Sequence, residues 1–394
     1  MTYIPYGRQT ISEADVAAVV AVLQSDWLTQ GPAVERFEQA VTQYCGVPHA
    51  SAVCNATCAL HLAYRALDLG PGDLLWTSPI TFVATANAAR YCGADVDFVD
   101  IDPVSYNLSA QALSRKLEAA AAGHGRLPKI VAPVHLAGEP CDLRAIAELG
   151  RRYGFRVVED ASHAVGSVYE GERVGSCRYS DLAVFSFHPV KLITTAEGGM
   201  VLTRSAKLHE RVQLLRSHGI TRDSARMEHK PDGAWYYEQL ELGYNYRMTD
   251  LQAALGYSQL ERLDGFLARR HQLAARYDAA LRELPLRLPV RSRAGRSALH
   301  LYVVHCPAQA AVSRSQLFHA LRKAGIGVNV HYIPVYRQPY YRRLGFRPGD
   351  FPEAEAYYAG ALSLPLYPGL TDAQQDHVVA LIRERLKASP VKAL

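Results

Sequence analysis

Two hydrophobic patterns alternate along this chain. Short, nearly continuous apolar runs read as strands covered on both faces, and longer stretches with apolar residues every three to four positions read as one-sided helices. The apolar runs are ASAV at 50–53, DLLWTS at 73–78, ADVDFVDID at 94–102, KIVAPVHLAG at 129–138, FRVVED at 155–160, DLAVFSF at 181–187 and GGMVLTR at 198–204. Helical periodicity fills the gaps, over 56–67, 81–93, 109–123, 142–154 and 208–219. Two further helices precede the first run. One is opened by the Ser12/Asp15 capping-box pair, the other by Pro32 after the loop Ser25-Asp26-Trp27-Leu28-Thr29-Gln30-Gly31. The alternation predicts an α/β domain with a parallel or mostly parallel sheet. In such sheets ligands bind beyond the carboxyl ends of the strands.

After residue 219 the pattern changes. Residues 220–243 are polar and aromatic, a connection long enough to suggest a functional excursion. Tyr244-Asn245-Tyr246-Arg247-Met248 then leads into one long helical segment over 250–281. From about Arg282 onward, strand-like HLYVVHC and GVNVHYI alternate with helical SRSQLFHALRKAG and DAQQDHVVALIRERLKA. The expected division is a large α/β domain over 1–250, carrying an N-terminal substrate-site segment, and a smaller α+β domain over 251–394. The length of 394 residues also exceeds what one hydrophobic core usually serves.

Composition narrows the function classes. The net charge of +5 is spread along the chain with no basic run, so no nucleic-acid stripe is expected, and mild basicity suits a diphosphate-bearing small molecule. Seven cysteines at irregular spacing argue against a disulfide framework, and the Cys54/Cys58 pair lacks the partners of a metal site. Neither a signal-peptide core nor a membrane-length apolar stretch is present, so a cytoplasmic protein without membrane contact is expected.

Candidate chemistry gathers at strand ends. Lys191 follows DLAVFSF in the loop Phe187-His188-Pro189-Val190-Lys191. A partly desolvated lysine has a lowered pKa and can form a Schiff base, whereas a snorkelling lysine would need no task. Asp160 ends FRVVED, where it either caps the next helix or pairs with a cation. Small residues at Ala56-Thr57 open a helix after a strand and so can hold a phosphate. Phe82 is either core or a stacking platform, and Ser186 either a strand-end hydroxyl or a phosphate ligand. His188 beside Pro189 reads as structural. Pyridoxal phosphate would use these parts together: lysine for its aldehyde, aspartate for its ring nitrogen, helix start and serine for its phosphate, Phe82 for its ring face.

The segments LTQGPAVERFE, CNATCALHLA, SPITFVATANA, VVEDASHAVGS, FSFHPVKLITTAEGGMV, LRSHG, LGYNYRMTDLQAALG and VHYIPVY carry a resemblance. They are similar to those of the DegT/DnrJ/EryC1/StrS sugar aminotransferases, and they run over nearly the whole chain. The resemblance implies fold type I of the pyridoxal-phosphate enzymes. TQG, FSFHPVK with ITTAEGG, and WYYEQLELGYNYRM look most similar to the enzymes of pseudaminic acid biosynthesis. Those use L-glutamate to aminate C4 of a UDP-linked 4-keto-6-deoxy-N-acetylhexosamine.

Carried over, the resemblance implies Lys191 as Schiff-base lysine and proton shuttle. Asp160 would serve the pyridine nitrogen, with His163 against the ring or its hydroxyl; many relatives have glutamine there. Ala56, Thr57 and Ser186 would bind the phosphate, joined by Asn245 from the second subunit of a homodimer. Tyr6, Asp26, Trp27, Leu28 and Thr29 would line the nucleotide-sugar site, His331 and Tyr332 would close it, and Arg247 would meet the diphosphate or the donor carboxylate. Three other readings are weighed. One is amination of another nucleotide-linked 4-keto sugar, a UDP-4-keto-pentose or dTDP-4-keto-6-deoxyhexose. The second is a dehydratase, disfavoured by a lysine where such relatives have histidine. The third is a non-catalytic regulator, disfavoured by the lack of a DNA-binding extension.

Overall fold

The computed structural model of the chain describes residues 3–292, 294–308 and 310–387. Its centre is a seven-stranded sheet of β1 (His49–Val53), β2 (Leu74–Thr77), β3 (Asp95–Phe98), β4 (Ile130–Ala132), β5 (Arg156–Asp160), β6 (Leu182–Ser186) and β7 (Gly199–Thr203). The spatial order is β1-β7-β6-β5-β4-β2-β3. Pairs β2/β3, β2/β4, β4/β5 and β5/β6 are parallel; β7 is antiparallel to both β1 and β6. One reversed strand in seven makes the sheet mostly parallel, as the continuous apolar runs predict, and it has the fold type I arrangement. The reversal goes with the lysine loop, which holds no helix and joins β6 to β7 as an antiparallel pair.

Helices α1 (Glu13–Leu23), α2 (Pro32–Cys45), α3 (Ala56–Ala66), α4 (Ala84–Tyr91), α5 (Ala110–Ala121), α6 (Leu143–Tyr153) and α7 (Ala206–Arg216) follow the predicted order. The Ser12/Asp15 capping box forms, and Asp15 is fully buried against Ser258 and Gln259. The long helical segment is two helices, α8 (Asp250–Glu261) and α9 (Leu263–Leu281). At the break, Arg262 takes φ −102° and ψ −1° and turns its guanidinium to Asp15 and the Thr10 carbonyl. Met248, Ala253, Leu263 and Phe266 pack with Phe37, Phe185 and Phe187. Further along α9, Leu273 and Tyr277 enter a separate core with Tyr302, Leu317, Leu362 and Val378.

That second core is covered by α10 (Arg314–Lys323) and α13 (Asp372–Lys387), with the short helices α11 (Pro339–Arg342) and α12 (Pro352–Gly360) between them in sequence. Its sheet is a two-stranded antiparallel pair, β8 (Tyr302–His305) with β9 (Ala361–Leu364). The run GVNVHYI, predicted as a strand, makes a single isolated bridge, Asn329 to Ser363, and Ile326 just before it makes another to Ile4. Its backbone is shared between two neighbours, Ile4 on one side and Ser363 on the other, so no ladder extends. Among the described residues no helix is long and apolar enough to cross a membrane.

Candidate active site

The carboxyl ends of β5 and β6, the start of α3 and the loop over 329–332 surround one cavity of about 870 Å³. Lys191 lies in its wall, on the loop between β6 and β7. That loop is tied to itself: Lys191 N–H donates to the His188 carbonyl at 2.8 Å, and Phe187 O accepts Thr195 N–H at 3.0 Å and Thr194 Oγ1–H at 3.1 Å. Burial pushes the Lys191 amine down from 10.5 to about 8, with Asp160 pulling the other way. A lysine so placed is partly neutral at physiological pH and able to act as nucleophile and base.

Asp160 is buried, and every partner it has donates to it. Thr85 Oγ1–H reaches Oδ2 at 2.6 Å; Ser162 reaches Oδ1 with its hydroxyl at 2.6 Å and its N–H at 3.2 Å. Behind Thr85 stands Thr81, its hydroxyl 2.8 Å away. These donors fix the carboxylate's position and leave it acceptor-only toward the cavity. His163, one turn beyond, is buried against His300 with ring centroids 4.4 Å apart. Burial, then the charge of Lys191, holds its pKa well below 6.5.

Across the cavity Asn55 caps α3 by accepting Cys58 N–H at 2.9 Å. The N–H groups of Ala56 and Thr57, first in the helix, have no intrahelical acceptor and form an anion cradle with the buried Ser186 hydroxyl. Gly199 opens β7 directly behind the cradle: a Cβ there would stand 2.7 Å from Ala56 N and 2.7 Å from Asn55 C. Both are backbone atoms that cannot swing aside. Gly199→Ala is therefore expected to cost about 1–3 kcal/mol of stability, read by urea unfolding. It should also loosen anion binding at α3, read by equilibrium dialysis.

Pyridoxal phosphate fits this arrangement. Its phosphate would meet two free N–H groups and a hydroxyl, its ring nitrogen a buried carboxylate held only by donors, and its aldehyde an amine of lowered pKa. Phe82, 58% exposed, stands at the cavity wall where it can cover a ring face.

Tyr6, His331 and Tyr332 line the same cavity, with the Tyr6 and His331 rings 5.3 Å apart and His331 Nδ1 2.8 Å from Ser363 Oγ. His188 lines it too, although it reads as structural in sequence. Asp26, Trp27, Leu28 and Thr29 do not line it: their loop is exposed and fastened to the start of α8, where the Leu28 carbonyl accepts Asp250 N–H at 3.1 Å. Asn245 is exposed and bridges Ser217; Arg247 bridges Val53; neither lines the cavity within the chain. The sequence reading missed Thr85, Ser162 and His300. The Thr81/Thr85 spacing is a signal that one helical turn would join two hydroxyls. Nothing in the local sequence ties His300 to His163.

The chain is similar to known proteins over nearly its whole length. The model of the DegT/DnrJ/EryC1/StrS aminotransferase family matches residues 9–383. The spore coat polysaccharide biosynthesis protein SpsC of Bacillus subtilis is 40% identical over 391 residues, covering 98% of each chain. Among solved structures, Helicobacter pylori PseC, an aminotransferase involved in the biosynthesis of pseudoaminic acid, is 30% identical with a TM-score of 0.89, over 98% of this chain and 100% of that one. The putative sugar aminotransferase Spr1654 of Streptococcus pneumoniae, in its PLP form, is 29% identical with a TM-score of 0.87, over 98% and 99%. The cofactor is thus pyridoxal phosphate, and the chain belongs to the DegT/DnrJ/EryC1/StrS family of sugar aminotransferases.

Proposed function

We propose that the enzyme transfers the amino group of L-glutamate to the C4 keto group of a UDP-linked 4-keto-6-deoxy-N-acetylhexosamine. The product is UDP-4-amino-4,6-dideoxy-N-acetyl-β-L-altrosamine, the amino sugar of the pseudaminic acid route. The observation that carries this reading is the cavity itself. At about 870 Å³ it reaches from the Lys191 and Asp160 end to Tyr6, Asn329 and His331, room for a sugar beside the cofactor. The likeness to PseC supports the particular sugar.

Pyridoxal phosphate supplies an electron sink when bound; the chain's residues do the rest. Ala56, Thr57 and Ser186 would hold the phosphate, and Asp160 would meet the ring nitrogen. Lys191 would hold the cofactor through its aldehyde and, as a neutral amine, would take the α-proton of the amino donor. It returns a proton when the keto sugar occupies the same place, so the two half-reactions share one acid–base and ping-pong kinetics are expected. Asn245, exposed in the single chain, is proposed to complete the phosphate site of a second copy in a homodimer, with residues 26–29 and Arg247 meeting the nucleotide sugar.

The test is a panel of UDP- and dTDP-linked 4-keto sugars incubated with enzyme and glutamate, with the amino sugar identified by NMR. Turnover of the UDP-linked N-acetylhexosamine at least about 100-fold above the dTDP sugars is expected, a ratio within reach of a site that hydrogen-bonds the distinguishing groups. Turnover confined to dTDP sugars or to a UDP-4-keto-pentose would overturn the assignment and leave the aminotransferase standing.

A further inference from the structure

One hydrogen bond at the cavity wall has a fixed direction, and that direction gives a cavity residue a task. A backbone N–H can only donate. Ala137 N–H points at His163 Nδ1 at 3.3 Å, so Nδ1 is an acceptor and carries no proton. Burial and the nearby Lys191 keep the ring neutral, so its one proton sits on Nε2. Nε2 lies 3.0 Å from Tyr332 Oη. His163 therefore donates, and Tyr332 accepts through its oxygen. The tyrosine's own O–H proton is left free to point elsewhere, and no other hydrogen bond of Tyr332 Oη is made to the described residues.

Tyr332 lines the cavity together with Lys191, and burial raises its pKa, so the phenol keeps its proton. Its place is set by packing rather than by choice of rotamer alone. The Phe82 ring lies 6.1 Å away, the His163 ring 6.0 Å away and nearly parallel at 22°, and the His331 ring 5.0 Å away edge-on. His300, with 4% exposure, backs His163 from the far side.

We infer that Tyr332 is a hydrogen-bond donor to the carbonyl oxygen of the keto substrate, aimed there because His163 occupies its acceptor side. The inference rests on the aminotransferase reading of the cavity and adds a residue to it. As an amine adds to the carbonyl carbon, the carbon–oxygen π pair moves to oxygen, and a fixed O–H stabilises that charge more than the ground state; the oxygen then leaves as water with protons delivered by Lys191 from the adding amine. Tyr332 gives up no proton in this role; Lys191 remains the group that moves protons.

The polarity of the pair can be reversed without changing its size much. His163→Gln preserves it, because the amide oxygen can accept Ala137 N–H while the amide nitrogen donates to Tyr332. His163→Glu reverses it, because a carboxylate can only accept and so draws the Tyr332 proton away from the cavity. Single-turnover rates of each half-reaction would be measured for Tyr332→Phe, His163→Gln and His163→Glu, with the absorption spectrum and affinity of the bound cofactor recorded for each. Tyr332→Phe and His163→Glu should each slow the keto-sugar half-reaction by about 30- to 1,000-fold. The keto-sugar half-reaction should run at least about tenfold faster in His163→Gln than in His163→Glu, and Tyr332→Phe should weaken cofactor binding far less than it slows the sugar half-reaction. Equal rates for the glutamine and glutamate variants would overturn the inference. So would a Tyr332→Phe variant with unchanged sugar kinetics and a shifted cofactor band, because the donor would then serve the cofactor. A parent enzyme that shows neither half-reaction would instead count against the aminotransferase reading, and the inference would fall with it.

Discussion

Lys191→Ala is expected to lose at least about 10,000-fold in turnover and to bind pyridoxal phosphate without the yellow colour of the lysine-bound form. Proton transfer by a positioned side chain accounts for roughly 100- to 10,000-fold by itself, and Lys191 is proposed to perform it in both half-reactions. The covalent attachment goes with the same substitution. The decisive comparison is Lys191→Arg. It keeps a positive charge of similar reach, but a guanidinium stays protonated at any working pH and cannot take up a proton. The amine of Lys191, held at about 8 by burial, can. The sign of the pH dependence follows: the neutral fraction of the free amine grows as pH rises through about 8, so the glutamate half-reaction should accelerate up to that point and then level off. Stopped-flow absorbance across pH 6 to 9.5 checks this. An arginine variant retaining more than about 1% of the rate would remove Lys191 from its role.

Asp160→Asn is the second large effect, expected at about 100- to 1,000-fold in turnover with the cofactor still bound. The carboxylate receives three donors, from Thr85 and from the hydroxyl and N–H of Ser162, so its place is held independently of any ligand. An asparagine keeps the oxygen that Ser162 meets, but turns an amide N–H₂ toward Thr85 or loses that bond. More important, it removes the negative charge that favours a protonated ring nitrogen. The cradle at Ala56, Thr57 and Ser186 is untouched, so cofactor affinity should fall far less than turnover. Spectrophotometric titration with pyridoxal phosphate beside steady-state kinetics separates the two. A variant equally impaired in both would mean that Asp160 serves folding or general binding. Thr85→Val is the milder companion: removing one of three donors should slow turnover by about tenfold or less.

Different parts of this site differed in how far they could be read along the chain, and the reason is the distance over which each interaction acts. Asn55, Ala56 and Thr57 form their cradle by helix-end chemistry confined to four residues, so the sequence shows it. Lys191 and Asp160 stand at strand ends, where apolar periodicity stops and a charged side chain is conspicuous. The capping box of Ser12 and Asp15 is likewise local, and it formed. The segment 327–333 failed for the opposite reason. Its residues have strand character, but strands need a partner of matching length, and here Ile4 and Ser363 divide the pairing between them. The single long helix predicted over 250–281 is two, broken at Arg262, whose guanidinium meets the buried Asp15, a contact across 247 residues.

By itself, then, the sequence determined the α/β alternation, the mostly parallel sheet and the cofactor, and it singled out Lys191, Asp160, the start of α3 and Ser186 as the candidates to hold it. These rest on periodicity and end effects within a few residues. Only the tertiary structure decided which side chains meet across the cavity. It set Thr85 against Asp160, His300 behind His163, Gly199 behind Ala56, and Tyr332 on the acceptor-blocked side of a histidine 169 residues away. Such pairings follow from how helices and loops pack onto the sheet, and packing depends on the summed shape of whole elements rather than on any one stretch. The direction of the His163–Tyr332 hydrogen bond belongs to that second class, since it is fixed by a backbone amide at Ala137, whose type of side chain has no bearing on it.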